Sequence, residues 1–251
     1  MKKIIYFFLL MGCTFLQAVT TLAQKRPIPQ AYQLRIYQYE NDTQETSLDA
    51  WLQKELLPAL HKKSIRHIGV FKPLANDTAR IRKTIVLIPY RDLKEYAAMA
   101  PGLPFDTTAY PSAPYTRVEN ILLEAFRLAP KLTLPQLSGD RAERVYELRS
   151  YESASEKAFR NKVEMFNEGG EIELFARLQF NAVFYASVIA GSRMPNLMYM
   201  TSFDNLAERE AHWKSFGGDP EWKKLSAMLY YQNNVSSIEI TLLRAQPYSD
   251  Y

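Results

Sequence analysis

The sequence YQLRIY, at residues 32–37, recurs as YELRSY at residues 146–151. Four of the six positions are identical between the two copies, which begin 114 residues apart at Tyr32 and Tyr146. The same order of predicted strands and helices follows each copy, so the repeat extends beyond these six residues. A chain that carries one structural unit twice is interpreted as two related modules.

Each half of the chain carries predicted strands and helices in the order β-α-β-β-α-β. The strands are predicted at residues 32–39, 65–74, 83–90 and 121–128, and again at residues 145–151, 180–189, 197–203 and 237–244. This ferredoxin-like order gives a four-stranded antiparallel sheet with helices on one face. Two such sheets can cover each other's bare faces. We therefore predict an α+β fold of tandem ferredoxin-like modules, at residues 24–130 and 145–251, packed sheet to sheet and joined by a linker at 131–144.

The first 23 residues are predicted to be an export signal. Lys2 and Lys3 precede an apolar run at residues 4–12, and residues 21–23 (TLA) fit the small-x-small pattern before a signal-peptidase site. The mature chain would then begin at Gln24, in the periplasm or outside the cell. The other interpretation is a transmembrane anchor, but the run is shorter than the roughly 20 residues that a membrane-spanning helix needs.

Cys13 allows a different interpretation of the same segment. Residues 10–13 (LMGC) are similar to a bacterial lipobox, in which the cysteine is lipidated and holds the protein on a membrane surface. Cleavage after Ala23 would instead remove Cys13, the only cysteine of the chain. The mature protein would then have no disulfide, no thiolate nucleophile and no cysteine metal ligand.

Charge and histidine content argue against several classes of function. The formal net charge is only +4 and no basic stripe stands out, so nucleic acid is not a predicted partner. The three histidines, His61, His67 and His212, lack partners at metal-motif spacing. We predict no metal, no cofactor and no transmembrane segment in the mature chain. A small molecule and a second copy of the chain remain as candidate partners.

An irregular segment at residues 101–114 breaks the symmetry of the two halves. Its sequence, PGLPFDTTAYPSAP, stands where the second half has a tryptophan-bearing helix. Long irregular loops in compact domains are frequently functional lids. The alternative is a surface strap that covers a sheet edge.

The second half of the chain resembles the NIPSNAP family. The resemblance rests on residues 146–151 (YELRSY), 164–171 (EMFNEGGE), 195–200 (PNLMYM) and 219–222 (DPEW). It is closest to exported bacterial members with two modules, and the first half resembles a diverged copy. The resemblance implies a dimeric α+β barrel but no defined reaction. Relatives on this fold include cofactor-free monooxygenases, haem-degrading enzymes, chlorite dismutases and muconolactone isomerases, so the resemblance leaves haem open as a cofactor.

One face of the repeated strand carries the candidate functional residues. Because side chains alternate between the faces of a strand, one face is polar and the other mainly apolar. We predict that the apolar face packs against the helices and that the polar face points between the sheets. The residues predicted to line this inter-sheet cavity are Arg35, Tyr37, Glu147, Arg149 and Tyr151, to which analogy with the family adds Tyr199.

The repeated arginine has two interpretations, because a buried guanidinium needs a partner. In the functional interpretation, Arg35 and Arg149 bind a carboxylate, enolate or other anionic group of a ligand, since arginine suits planar bidentate recognition. In the structural interpretation, Glu147 pairs with Arg149 or Arg35 and fixes how the two halves dock.

Three functions follow, and the sequence leaves open whether the chain is an enzyme. In the first, the protein would bind a small, partly apolar or anionic molecule between the sheets. Alternatively, it is a cofactor-free monooxygenase or isomerase, in which the arginines stabilise an enolate-like anion and Tyr37 or Tyr151 relays a proton. As a third alternative, it is a structural or protein-interaction module. An empty polar cavity favours the first two functions, and a packed, ion-paired cavity favours the third.

Overall fold

The structure, a computed structural model, describes residues 27–105 and 113–251. The predicted export signal, Cys13 and half of the predicted lid therefore lie outside the described residues. The eight strands in chain order are β1 (Ala31–Tyr39), β2 (Gly69–Pro73), β3 (Arg82–Tyr90), β4 (Arg117–Ala125), β5 (Val145–Glu152), β6 (Phe184–Ala190), β7 (Asn196–Phe203) and β8 (Ser237–Ala245). They form one closed barrel in the order β1-β3-β2-β8-β5-β7-β6-β4.

Each half of the chain supplies one four-stranded antiparallel sheet to the barrel. The repeated strand is central in both, with β1 between β3 and β4, and β5 between β7 and β8. The two sheets join at two short seams, where residues 71–73 of β2 pair with 243–245 of β8 and residues 122–125 of β4 pair with 186–190 of β6. The predicted fold is confirmed: tandem ferredoxin-like sheets face each other as a dimeric α+β barrel closed within one chain.

The helices of the first half lie on the outside of its sheet. They are α1 (Asp42–Trp51), α2 (Leu57–Lys62) and α3 (Leu93–Met99). The Asn41 side chain accepts a hydrogen bond from the backbone N–H of Gln44 and so caps the N-terminus of α1. A π-helical turn, Leu52–Leu56, links α1 to α2, and such turns are frequent at functional sites.

The helices of the second half are α4 (Glu156–Asn167), α5 (Glu171–Arg177), α6 (Leu206–Gly218) and α7 (Pro220–Ser226). Gly170, at φ 86°, separates α4 from α5 in a left-handed conformation that favours glycine. Asp219 caps α7 by accepting hydrogen bonds from the backbone N–H groups of Glu221 and Trp222. No helix of residues 27–105 and 113–251 is long and apolar enough to cross a membrane.

The barrel interior is an apolar core rather than a polar cavity. It is filled by buried side chains that include Tyr32, Leu34, Phe71, Tyr146, Leu148, Phe184 and Met200. An eight-stranded barrel is just wide enough for side chains to fill it. Tyr251 enters from the C-terminal end of the chain, and its ring centroid lies 5.3 Å from that of Phe71. Two further cores lie outside the barrel, one beneath the helices of each half.

The predicted facing of the repeated strand is wrong. The apolar face, with Leu34 and Leu148, points into the barrel, whereas Tyr37 and Tyr151 belong to the cores beneath the helices. The reason is that the interior of the closed barrel is mainly apolar and offers few polar partners. The helices instead carry donors and acceptors that can satisfy a polar strand face. The predicted convergence of Arg35 and Arg149 between the sheets is therefore also wrong.

Candidate functional site

In the second half, Glu147 is the centre of a closed polar cluster. Its side chain is fully buried between β5 and α6. It accepts hydrogen bonds from Arg149 Nε at 2.5 Å, Arg209 Nε at 2.7 Å and Trp213 Nε1 at 2.8 Å. Burial by itself would raise the pKa of the Glu147 carboxyl, but the hydrogen bonds and charges of Arg209 and Arg149 lower it below its ordinary value.

The Arg149 guanidinium also has a hydrogen-bond partner on the side away from Glu147. Its Nη1 donates to the Tyr151 hydroxyl at 3.0 Å, and that hydroxyl is 2.9 Å from the hydroxyl of Tyr199. The guanidinium carbon lies 3.6 Å from the centroid of the Trp213 ring, which is cation–π geometry. Four predicted site residues, Glu147, Arg149, Tyr151 and Tyr199, are thus brought together. They form a packed, ion-paired group.

The predicted pairing of Glu147 with Arg149 is present, but its predicted role in docking the halves is not. Every residue bonded to Glu147 comes from the second half of the chain. Arg209 and Trp213 were not identified from the sequence as partners of the strand. Their four-residue spacing places them on one face of α6, but nothing in that spacing specifies which strand residue they meet.

In the first half, the equivalent arginine has no carboxylate partner among the described residues. Arg35 is only 8% exposed, and its Nε donates to the Tyr37 hydroxyl at 2.7 Å. Its guanidinium carbon lies 3.8 Å from the centroid of the Phe105 ring, at the start of the predicted lid. No carboxylate of residues 27–105 or 113–251 is within ion-pair distance of it. Arg35 is therefore a buried cation whose charge nothing in the described structure neutralises.

Tyr37, which bonds to Arg35, is in contact with a further buried donor, Trp51. The Trp51 ring packs against Tyr37 at 5.8 Å between centroids, and its Nε1 is buried without a partner among the described residues. Burial raises the pKa of Tyr37 to about 12, although the charge of Arg35 opposes this rise. The Tyr37 phenol is therefore protonated at neutral pH, and it can donate a hydrogen bond while it accepts one from Arg35.

The space between the sheets is small. The cavity there has a volume of about 70 Å³ and is lined by residues that include Ile36, Leu148, Ser150 and Asn196. Arg193, which lines this cavity, forms ion pairs with Glu152 and Glu239. Pockets for small-molecule ligands usually measure roughly 300–1,000 Å³. The inter-sheet cavity that the sequence predicts is thus too small for such a ligand.

Metal-ligating side chains do not cluster in the part of the chain that the structure describes. Within the two described ranges, no group of three or more His, Cys, Asp or Glu side chains is arranged to hold a metal ion. His61 is bound to Asp250 at 3.0 Å, and His212 bonds to the backbone carbonyl of Glu208. The absence of a cofactor stays a prediction of the sequence.

Comparison with solved structures defines the class of protein. A putative monooxygenase from Lactobacillus acidophilus NCFM superposes with a TM-score of 0.54 at 9% identity, over 86% of this chain and 94% of its own. An anthrone oxidase-like protein superposes with a TM-score of 0.55 at 8% identity, over 87% and 92% of the two chains. At such identities the likeness shows the fold alone: the protein is an α+β barrel of the dimeric type.

The second half of the chain matches a known protein family. The match is to the NIPSNAP family model and covers residues 146–250. A NIPSNAP-like domain protein from Burkholderia xenovorans aligns with 43% of this chain and 90% of its own, at 17% identity and a TM-score of 0.39. No functionally curated protein matches the chain.

Proposed function

We propose that the protein binds a small, mainly apolar molecule through an anionic group, with Arg35 as the anchor in the first half of the chain. The observation that carries the proposal is the difference between two equivalent arginines. Arg149 is neutralised by Glu147, whereas Arg35 is buried without a carboxylate among the described residues. Uncompensated buried charge is strongly unfavourable, so a ligand anion at Arg35 would stabilise the protein.

The surroundings of Arg35 indicate the character of the ligand. Arg35, Tyr37 and Trp51 present donors without enough acceptors, which suits a carboxylate or enolate oxygen. The neighbouring walls are aromatic, because Phe105 lies over Arg35 and Tyr115 contacts the Tyr37 ring at 5.1 Å. An aromatic carboxylate is therefore the best probe. The site that we propose lies beneath the helices of the first half, and not between the sheets.

The test is the melting temperature of the protein with 2-naphthoate and with its neutral analogue, 2-naphthamide. We expect naphthoate to stabilise the parent protein, by about 2.7 kcal/mol at a hundredfold excess over Kd, and naphthamide to have little effect. Arg35→Met should abolish the response. Arg149→Met is the matched control: it should lower stability but keep the response. Failure of naphthoate and other aromatic carboxylates to stabilise the parent, or an equal response in Arg35→Met, would overturn the proposal.

One variant separates a ligand from an internal counter-charge. Asp106 follows Phe105 in the sequence and lies outside the described residues. If a ligand neutralises Arg35, Asp106→Asn should change neither stability nor the naphthoate response. A loss of stability as large as that of Arg149→Met would assign the counter-charge to Asp106 and contradict the proposed site.

A second candidate function is cofactor-free oxidation at the same site. The full-length structural likeness to proteins described as a putative monooxygenase and as anthrone oxidase-like favours it. Arg35 would stabilise the enolate of an anthrone-type substrate, and O₂ would oxidise the ring CH₂ to a carbonyl with release of water. Oxygen uptake with anthrone, lost in Arg35→Met and reduced in Tyr37→Phe, would support this function. Uptake equal to that of a protein-free control would exclude it for this substrate.

A further inference from the structure

A wide groove lies on the opposite half of the molecule, away from Arg35. It has a volume of about 800 Å³. One wall is formed by residues 128–136, which connect β4 to β5 along the chain. The other wall is formed by α5 and the residues leading into β6. The volume falls in the range of small-molecule pockets, and such pockets are frequent where modules meet.

The floor of the groove is apolar and aromatic. Phe175 and Tyr185 are almost fully buried, and their rings belong to the aromatic core beneath the helices of the second half. The walls add Ile172, Ala182 and Leu134, and Leu128 is 45% exposed beside them. The gain in free energy on ligand binding comes from the side chains that are still partly exposed to water: Leu128, Leu134, Ile172 and Ala182.

The polar groups of the groove favour a negative end group on the ligand. Lys131 is the only charged residue of the lining, and it forms no ion pair with any described residue. Burial, and after it the nearby Glu171 carboxylate, raises the pKa of the Tyr185 phenol, which therefore stays protonated. With one cation and no carboxylate in its lining, the groove has a net preference for anionic groups.

We propose that this groove binds an elongated apolar molecule with a single anionic end, of the class of medium-chain carboxylates. The chain lies on Phe175 and Ala182, and the carboxylate lies at Lys131. The site is separate from the one anchored by Arg35, and neither proposal depends on the other.

Calorimetric titration of the protein with decanoate tests this proposal. We expect binding with one-to-one stoichiometry. Butyrate, which has the same charge and a shorter chain, should bind more than about tenfold more weakly, because each buried methylene adds to affinity. Lys131→Glu should weaken decanoate binding by at least about tenfold, while Lys214→Glu, an equal charge change on the exposed face of α6, should leave it unchanged. Ala182→Trp should abolish binding by filling the floor.

Several results would overturn the proposal. One is a failure of the parent protein to bind decanoate, and another is an equal loss of decanoate affinity in Lys131→Glu and Lys214→Glu. Equal affinities of the parent for butyrate and decanoate would also contradict the proposal. Loss of decanoate binding in Arg35→Met would move the binding to the first half of the chain. If Ala182→Trp does not fold, the chain-length series and the two lysine variants still decide the matter.

Discussion

Gln33 in the first half of the chain holds the position that Glu147 holds in the second. Both are the second residue of the repeated strand segment, and both point toward the helices. Gln33 accepts a hydrogen bond from the Tyr90 hydroxyl at 2.9 Å and donates one to Asn120 at 2.8 Å, so its bonds are made with neutral groups. Glu147 bonds to two guanidinium groups. A single amide in place of a carboxylate thus makes the two arginine environments electrically different.

The Glu147 cluster predicts an order of stability among variants. Arg149→Met removes one of the donors that neutralise Glu147, and breaking such a buried pair costs roughly 3–5 kcal/mol. Glu147→Met should cost more, because Arg149, Arg209 and Trp213 all lose their acceptor. Urea unfolding of both variants measures the two free energies. A smaller loss in Glu147→Met than in Arg149→Met would contradict this account of the cluster.

Acid should destabilise the protein partly through Glu147. Because the pKa of Glu147 in the folded state is below its ordinary value of 4.5, the unfolded state binds its proton more readily. The stabilisation is present above pH 4.5 and is lost as the pH falls from there through the lowered folded-state pKa. Unfolding free energies measured from pH 7 to pH 2 should fall less steeply in Glu147→Gln than in the parent. Identical slopes in the two proteins would show that Glu147 is not linked to acid unfolding.

The break between α4 and α5 predicts a contrast between two glycines. Gly170 has a left-handed backbone, at φ 86°, whereas Gly217, within α6, does not. At both positions an added Cβ would meet no atom within 4 Å. Gly170→Ala should therefore lower the free energy of unfolding by about 1 kcal/mol, because alanine is strained in the left-handed conformation. Gly217→Ala should be neutral or stabilise by a few tenths of a kcal/mol. Thermal melts of both variants test the contrast, which would fail if Gly170→Ala melted at or above the parent temperature.

Export stays a prediction of the sequence. Protein isolated from the native cell envelope should begin at Gln24, and Cys13→Ser should not alter its location. Edman sequencing and intact mass measure this directly. A lipid-modified N-terminus at Cys13 would establish the rival interpretation, in which the protein is held on a membrane surface.

The sequence predicted the fold well because the repeat and the element order are properties of the chain alone. It predicted the correct grouping of Glu147, Arg149 and Tyr151 on one face, since alternation follows from strand geometry. It could not decide which face points inward. Both faces carry tyrosines, and a polar face can be buried wherever another element supplies partners. Those partners, Arg209 and Trp213, lie more than sixty residues away on α6, and no local pattern links them to β5.

The seams between β2 and β8 and between β4 and β6 close the barrel within a single polypeptide. In a barrel assembled from two identical chains, any substitution appears on both sides at once, so a site that needs glutamate on one side and glutamine on the other cannot arise. Covalent linkage removes that constraint. One half can keep the buried ion pair of Glu147 and Arg149, which stabilises the fold. The other half can replace the glutamate by glutamine, which leaves its arginine available to bind an anion from outside the chain.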